Sequence, residues 1–228
     1  MMTEQFTGRA EAYVKARPGY PDEAVDYIYK LAPSGAAFAD IGAGTGKFTE
    51  LLARYGNEIF AVEPNADMRG QLVIALANFP NVKTFDGTAE ATKIPGNSAD
   101  VIVNAQALNK FDINAFRAEC QRIGKPDAVA VSLWNGEEGE GLGNYDKSIK
   151  AFYRNPIVRE FPNPVMFTRE RWHLYHSSMA GVPREFEPGY EEYTAELNEI
   201  FNRDSADGML RHNLRTVVYS EKIKLMIE

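Results

Sequence analysis

The feature that most constrains this chain is a glycine-rich turn after a short apolar run. Residues 36–41 are typical of a buried strand, and residues 40–48 read Asp-Ile-Gly-Ala-Gly-Thr-Gly-Lys-Phe. Glycines at a strand end let the backbone bend sharply and approach a ligand, because they lack a Cβ atom. In an open α/β sheet, ligands bind at this end of the strands. The turn therefore predicts a small-molecule site on a parallel sheet.

The spacing of apolar residues predicts an α/β fold. Helical stripes follow Pro21 and recur at residues 48–55, 68–76, 113–123 and 190–201, with Asp112 as a predicted cap. Short apolar runs predict strands at residues 36–41, 58–62, 82–85, 99–104, 128–133 and 214–227. The alternation favours a doubly wound, mostly parallel sheet, for which we expect seven strands.

The pattern changes after Asn135, where four glycines precede a stretch rich in aromatic, arginine and proline residues. We therefore expect an inserted cap after strand five. We predict a single domain, residues 1–228, in which helices within residues 1–33 and the insertion at about 136–210 cover the active site.

Residues 40–46 could form a phosphate-binding loop, a dinucleotide-binding loop or a tight turn that binds no ligand. A phosphate-binding P-loop needs Ser or Thr after Gly-Lys, but Phe48 follows Lys47 here. A dinucleotide fingerprint fits Gly42 and Gly44 but finds Lys47 at its third glycine, which disfavours a nicotinamide cofactor. A tight turn without any ligand is disfavoured because three glycines stand within five positions.

Glu63 ends the second predicted strand. One carboxylate there can accept hydrogen bonds from both hydroxyls of a ribose, so we favour ligand binding over a solvated turn. This feature is shared by dehydrogenases and methyltransferases and does not separate them.

Four segments resemble one family. The pattern Asp-x-Gly-x-Gly-x-Gly resembles motif I of class I S-adenosylmethionine-dependent methyltransferases, and residues 87–95 resemble their Gly-x-Ala-Glu…Pro segment. Residues 100–112 resemble their fourth strand and its exit, and residues 13–21 resemble their first segment. The resemblance covers most of residues 6–135 and is closest to the methylase-11-like and trans-aconitate-methyltransferase-like small-molecule group.

The resemblance implies S-adenosyl-L-methionine as cofactor and a set of contacts. The acid and glycines of the turn would contact the methionine part, Glu63 the ribose, and residues after it the adenine, although Met68 fits a core position equally well. The implied cofactor-binding residues are Tyr13, Arg17, Asp40, Gly42, Gly44, Gly46, Glu63, Pro64, Met68, Thr88, Ala89, Glu90, Asn104 and Gln106.

The candidates beside the transferred methyl group are Gln106, Asn109 and Lys110. Family members often carry His-Trp where this chain has Asn109-Lys110, so a histidine proton acceptor is missing and no catalytic residue is assigned. Methyl transfer is a displacement on an activated sulfonium, in which positioning supplies much of the rate. A base is needed only if the acceptor arrives protonated.

The predicted insertion suggests the acceptor. Its arginines could pair with carboxylates, which predicts an anionic or aromatic small molecule; a solvated face over a small separate core explains the same residues equally well. They are Arg154, Arg159, Arg169, Arg171, Phe152, Tyr153, Phe167, Trp172 and Tyr175. We interpret His173, His176 and His212 as structural.

Several partners are disfavoured. The net charge of −7 and Asn104-Ala-Gln-Ala, in place of an Asn/Asp-Pro-Pro turn, argue against nucleic acid. No apolar run approaches the roughly 20 residues of a membrane span, and no signal peptide is evident, so we expect a cytoplasmic protein without a metal. Two alternatives stay open: an NAD-dependent oxidoreductase and a non-catalytic S-adenosylmethionine-binding protein.

Overall fold

The computed structural model describes residues 14–137, 144–179 and 181–226. Its strands are β1 (Phe38–Ile41), β2 (Ile59–Val62), β3 (Val82–Phe85), β4 (Ala99–Ala105), β5 (Gly124–Glu137), β6 (Ile157–Phe167), β7 (Ser205–Ala206) and β8 (Met209–Lys222). Its helices are α1 (Asp22–Leu31), α2 (Lys47–Ala53), α3 (Ala66–Ala75), α4 (Ile113–Ile123), α5 (Asn144–Phe152), α6 (Arg169–Ser177) and α7 (Tyr190–Asp204). Short 3-10 turns lie at Leu108–Lys110 and Ile223–Met226.

The strands form one sheet with the order β3-β2-β1-β4-β5-β8-β6, and β7 pairs with β8. The first five strands are mutually parallel, whereas β8 runs antiparallel to β5 and β6. The predicted α/β fold with a mostly parallel sheet is confirmed. The sheet has eight strands instead of seven, because the two-residue β7 adds a short pairing beside β8.

Strand β6 lies within the region that the sequence predicts to be an insertion. Its outward residues are largely exposed, and Pro162 and Pro164 stand in its middle. Proline cannot donate a ladder hydrogen bond, so its presence argues against a strand unless the strand lies at an edge. β6 is an edge strand, which explains why the sequence pattern concealed it.

Two helical layers cover the sheet. On one face, Val25 and Ile28 of α1 and Leu52 of α2 pack on Phe38 and its strand neighbours. On the other face, α4 and α5 contribute a larger core that includes Phe116, Ile149 and Phe152. A third, smaller core joins α6 and α7 to the ends of β6 and β8 through Phe167, Trp172, Leu197, Phe201 and Leu210.

A buried carboxylate fixes the loop that precedes β4. Glu119 of α4 is 6% exposed, and its Oε1 accepts hydrogen bonds from Thr92 N at 2.8 Å and Thr92 Oγ1 at 2.6 Å. Arg122 donates to both carboxylate oxygens at 2.7 Å. Burial raises the pKa of Glu119, but these bonds outweigh it and lower the pKa from 4.5 to about 2.

We expect Glu119→Gln to lower the free energy of unfolding by about 2 kcal/mol at pH 7, because the amide loses the charge-assisted bonds. The lowered pKa means that this stabilisation is present above about pH 4.5 and is lost as the pH falls towards 2. Urea denaturation at pH 7 and pH 3 measures the difference. The exposed Glu192→Gln in α7 is the matched control. An equal loss for Glu119→Gln at both pH values would contradict the ionic role.

Candidate active site

The glycine turn bends as its sequence requires. Gly42, Gly44 and Gly46 have φ angles of +73°, +58° and +85°, a conformation that residues with a Cβ atom rarely adopt. A Cβ atom on Gly42 would lie 2.9 Å from Ala107 Cβ. Gly46 instead caps the start of α2, and a Cβ atom there would lie 3.4 Å from Leu72 of α3. Gly42 and Gly44 thus allow the backbone of the turn to bend, and Gly46 allows the start of α2 to pack closely against α3.

Asp40 places a carboxylate beneath the turn. The residue is fully buried, and its Oδ2 accepts a hydrogen bond from Thr49 Oγ1 at 2.6 Å. Its Oδ1 is buried and has no hydrogen-bond partner in the described part of the chain. Burial raises the pKa of Asp40 from 3.8 to about 7; the Thr49 bond opposes this rise and the nearby Glu63 adds to it. A buried oxygen of this kind needs a donor, which a water molecule or a bound ligand could supply.

Glu63 is held against the turn by two backbone amides. Its Oε2 accepts from Gly44 N at 2.8 Å, and its Oε1 accepts from Asn65 N at 2.9 Å. Burial raises the pKa of Glu63, while these two bonds, Lys110 and Arg69 lower it. The carboxylate is therefore fixed in direction, and each oxygen retains lone pairs for a further donor.

A cavity of about 260 Å³ opens above the turn. Its floor is formed by the turn and α2, and its sides by the carboxyl ends of β4 and β5 and by the end of α6. Its lining residues are Arg17, Pro18, Tyr20, Asp40, Gly42, Ala43, Gly44, Thr45, Lys47, Phe48, Ala105, Gln106, Trp134, Asn135, Tyr175 and Met179.

Residues 14–20, which we call the strap, roof this cavity. Lys47 Nζ donates to the carbonyl oxygens of Arg17 at 2.6 Å and Val14 at 3.1 Å. Arg17 Nε donates to Ser178 Oγ at 2.9 Å, and its guanidinium lies 5.4 Å from the centre of the Tyr175 ring. Burial, together with the charges of Arg171 and Arg17, lowers the pKa of Lys47 to about 8.

Several predicted cofactor residues meet at this cavity. Arg17, Asp40, Gly42, Gly44 and Gln106 line it. Glu63 is joined to the lining by its hydrogen bond to Gly44, whereas Gly46 packs against α3. Tyr13 lies outside the described residues.

The residues predicted around the adenine are not part of the cavity lining. Met68 is buried in α3, and Pro64 O accepts from Arg69 Nη1 at 3.0 Å. Thr88 is exposed, Ala89 belongs to the larger core, and Glu90 Oε1 accepts from Asp112 N at 2.9 Å. Their adenine contacts stay predictions. Asn104 is also buried away from the cavity, where its Nδ2 donates to Ser132 Oγ at 2.8 Å.

Only one candidate for the methyl position lines the cavity. Gln106 does so with a φ of +61°, and its Nε2 donates to Asn135 O at 3.4 Å. Asn109 is exposed on a 3-10 turn. Burial by surrounding protein lowers the pKa of the partly accessible Lys110 to about 8; Glu63 opposes this shift and Arg17 adds to it. Asn109 and Lys110 thus lie outside the cavity lining.

The arginines predicted to hold an anion are not among the residues that line the cavity. Arg169 donates to Asn198 and Asn202, and Arg171 donates to Met166 O at 3.0 Å. Arg154 and Arg159 are exposed and lie outside the lining. Of the associated aromatics only Tyr175 lines the cavity; Phe152 and Tyr153 belong to the larger core, and Phe167 and Trp172 to the smaller one. The alternative of a solvated face over a separate core describes most of this set.

The three histidines make structural contacts. His173 contacts Asn198, His176 contacts Tyr193, and His212 contacts Glu137. Burial lowers the pKa of His176 to about 4, with the charges of His212, His173 and Arg17 adding to the effect. Within residues 14–137, 144–179 and 181–226, no group of acids, histidines and cysteines could hold a metal, and no helix is long and apolar enough to cross a membrane.

Sequence reasoning missed the far wall of the cavity. Trp134 and Asn135 lie at the carboxyl end of β5. Ligands bind at this end of the strands in an open α/β sheet, so the argument used for the glycine turn would also have pointed to these two residues. Trp134 stacks on Tyr145 with ring centres 4.4 Å apart. Met179 follows α6 and carries no signal in the sequence. The sequence predicted no site role for Lys47, which appeared only as a departure from the dinucleotide fingerprint, yet Lys47 anchors the strap.

Comparison with known proteins points in one direction. The sequence model of the family described as "Methyltransferase domain" matches residues 39–132. An uncharacterized methyltransferase of Mycobacterium tuberculosis is 34% identical over 142 residues, which cover 62% of this chain and 56% of that relative. An uncharacterized methyltransferase-like protein of Schizosaccharomyces pombe is 29% identical over 213 residues, with 82% of each chain covered. The match to the mycobacterial protein thus spans little more than half of its length.

Solved structures agree on the fold. A putative type II methyltransferase of Anaeromyxobacter dehalogenans superposes with a TM-score of 0.70 at 19% identity, covering 91% of this chain and 98% of that one. At this identity the likeness describes the fold alone. Neither the family match nor these relatives favour an oxidoreductase.

Proposed function

We propose that this chain, whose residues 39–132 match the methyltransferase-domain model, is a class I S-adenosylmethionine-dependent methyltransferase and transfers a methyl group from S-adenosyl-L-methionine to a small-molecule acceptor. The observation that carries the proposal is the pair of acids at the turn. Asp40 presents a buried oxygen without a partner, and Glu63 is fixed by the amide of Gly44. Both acids suit a ligand that carries a positive charge and a ribose.

The residues at the turn fit this cofactor. A Cβ atom on Gly44 would point into open space, so a ligand can approach the backbone there, whereas Gly42 lacks a Cβ because Ala107 packs against it. Glu63 would accept hydrogen bonds from the ribose hydroxyls, and the carboxylate of Asp40 would face the cationic methionine part. When bound, S-adenosylmethionine supplies a methyl group on an activated sulfonium. The chain's own task is then to hold the acceptor in line with it and to exclude water.

The acceptor would lie against the far wall. Besides Trp134 and Asn135 of this wall, the ring of Tyr175, the amide of Gln106 and, from the strap, the ring of Tyr20 line the cavity. Among the described lining residues Asp40 is the one carboxylate, and none is a histidine. We therefore infer an acceptor that needs no protein base, such as a carboxylate or a neutral amine, held by aromatic contact and amide hydrogen bonds.

Calorimetric titration with S-adenosylmethionine, S-adenosylhomocysteine and NAD tests the donor. We expect binding of the first two and none of NAD; binding of NAD alone would overturn the proposal. Methyl transfer from labelled donor to a panel of small acids and amines then tests catalysis. Tight donor binding with no transfer to any member of a broad panel would instead support a non-catalytic binding protein.

A further inference from the structure

The strap is held at a third point, Gly19, besides its contacts with Lys47 and Ser178. The carbonyl oxygen of Gly19 accepts a hydrogen bond from Asn135 Nδ2 at 2.9 Å and another from Asn163 Nδ2 at 3.0 Å. Gly19 lies between Pro18 and Tyr20, both of which line the cavity. The position of the roof therefore depends on these two amides.

Asn135, Asn163 and Thr216 form one polar cluster across three neighbouring strands. Thr216 of β8 lies opposite Asn135 of β5, and β6 pairs with the other edge of β8. Thr216 Oγ1 donates to Asn135 Oδ1 at 2.6 Å, and Asn163 Nδ2 lies 3.2 Å from Thr216 Oγ1 and 3.3 Å from Asn135 Oδ1. Thr216 is fully buried. The cluster fixes both amides so that their NH₂ groups face the Gly19 carbonyl.

The two amides differ in their relation to the cavity. Asn135 lines it, whereas Asn163 lies on the edge strand outside the lining. A change at Asn163 can therefore alter the strap without removing any wall of the cavity. Asn163 is also the one of the two that joins the strap to β6, which otherwise takes no part in the site.

We propose that Asn163 is a positioning residue, which holds the strap over the cavity through the Gly19 carbonyl and so slows the exchange of ligand. Its part in donor exchange rests on the proposed function. The hold on the strap does not, because its hydrogen bonds exist within the ligand-free chain. Local opening of the strap would widen the path into the cavity, and the strength of this anchor would set how often that occurs.

Asn163→Asp tests the proposal with an almost isosteric change that replaces the NH₂ donor by an acceptor facing three oxygens, those of Gly19, Asn135 and Thr216. We expect trypsin to cleave the ligand-free variant after Lys15 about fivefold faster than the wild type, the factor that loss of one hydrogen bond gives. We also expect S-adenosylhomocysteine to dissociate about fivefold faster, measured by stopped-flow fluorescence of Trp134 at the cavity wall.

Asn213→Asp, on the neighbouring strand β8 and exposed, introduces the same charge and is the matched control. Thr216→Val is a second variant that loosens the cluster without adding a charge. Faster cleavage and faster dissociation in both cluster variants, with melting temperatures near that of the control, would support the proposal. If Asn163 only stabilises the fold, the variants should have lower melting temperatures, and cleavage and dissociation should be no faster than that loss of stability predicts.

Unchanged cleavage after Lys15 in both variants would overturn the proposal, whatever the ligand does. Failure of the wild type to bind S-adenosylhomocysteine would instead overturn the proposed function. In that case the cleavage rates alone decide whether Asn163 holds the strap. Failure of this proposal is thus seen in trypsin cleavage of the variants, and failure of the proposed function is seen in ligand binding to the wild type.

Discussion

Replacing Glu63 by glutamine is expected to weaken the binding of S-adenosylmethionine by about 100-fold, as the loss of two charge-assisted hydrogen bonds implies. In the wild type both carboxylate oxygens already accept backbone amides, from Gly44 and Asn65. Glutamine offers one acceptor oxygen, so its NH₂ group must face either an amide donor or a ribose hydroxyl. Titration calorimetry at several salt concentrations measures the change.

Glu58→Gln is the matched control, since it makes the same charge change just before the opposite end of β2, where Glu58 pairs with Lys83 in solvent. We expect this control to bind the donor as the wild type does. Equal affinity of Glu63→Gln and Glu58→Gln would show that the carboxylate at the strand end does not contact the donor.

Replacing Asp40 by asparagine is expected to stabilise the ligand-free protein at pH 8 by about 2–4 kcal/mol, which follows from a pKa near 7 in place of 3.8. Because burial raises this pKa, the folded state binds a proton that the unfolded state releases between about pH 4 and 7. The wild type therefore loses stability as the pH rises through this window, and the neutral amide removes the loss. Thermal melts at pH 5 and pH 8 should differ by roughly 5–10 °C more in the wild type than in the variant.

The same substitution should weaken donor binding by at least about tenfold, because the cationic ligand loses its buried counter-charge. The exposed Asp207→Asn, in the turn before β8, serves as control and should change neither property. A variant that is no more stable at pH 8 than the wild type would mean that Asp40 is ionised without cost in the folded chain.

The part of the site formed by local sequence could be predicted. The glycine turn, α2 and Glu63 follow from residues that lie within about one βαβ unit, where strand, turn and helix are fixed by neighbours along the chain. The cap at Asp112 was likewise predicted, and its side chain accepts from Asn114 N and Ala115 N. These features need no knowledge of distant contacts.

The rest depends on contacts between distant parts of the chain. Arg17 meets Ser178 across 161 positions, and Gly19 meets Asn163 across 144. Nothing in the local pattern around Ser178 or Asn163 distinguishes them from other polar residues on a helix end or a strand. Distant contacts also involve the arginines of the predicted cap, because Arg169 and Arg171 lie over the rings of Phe201 and Phe167 at the surface of the smaller core; their part in binding an anion stays a prediction.

The two prolines of β6 have a consequence for the behaviour of this protein at high concentration. An exposed sheet edge is a template on which another chain can add a strand, and so begin aggregation or fibril growth. At Pro162 and Pro164 the backbone has no N–H to offer to such a chain, while Arg159 and Glu160 place charge on the preceding residues. The exposed edge of β6, the strand that carries Asn163, is therefore a poor template for pairing with another chain. The sheet can end in solvent at this strand, which also anchors the roof of the cavity.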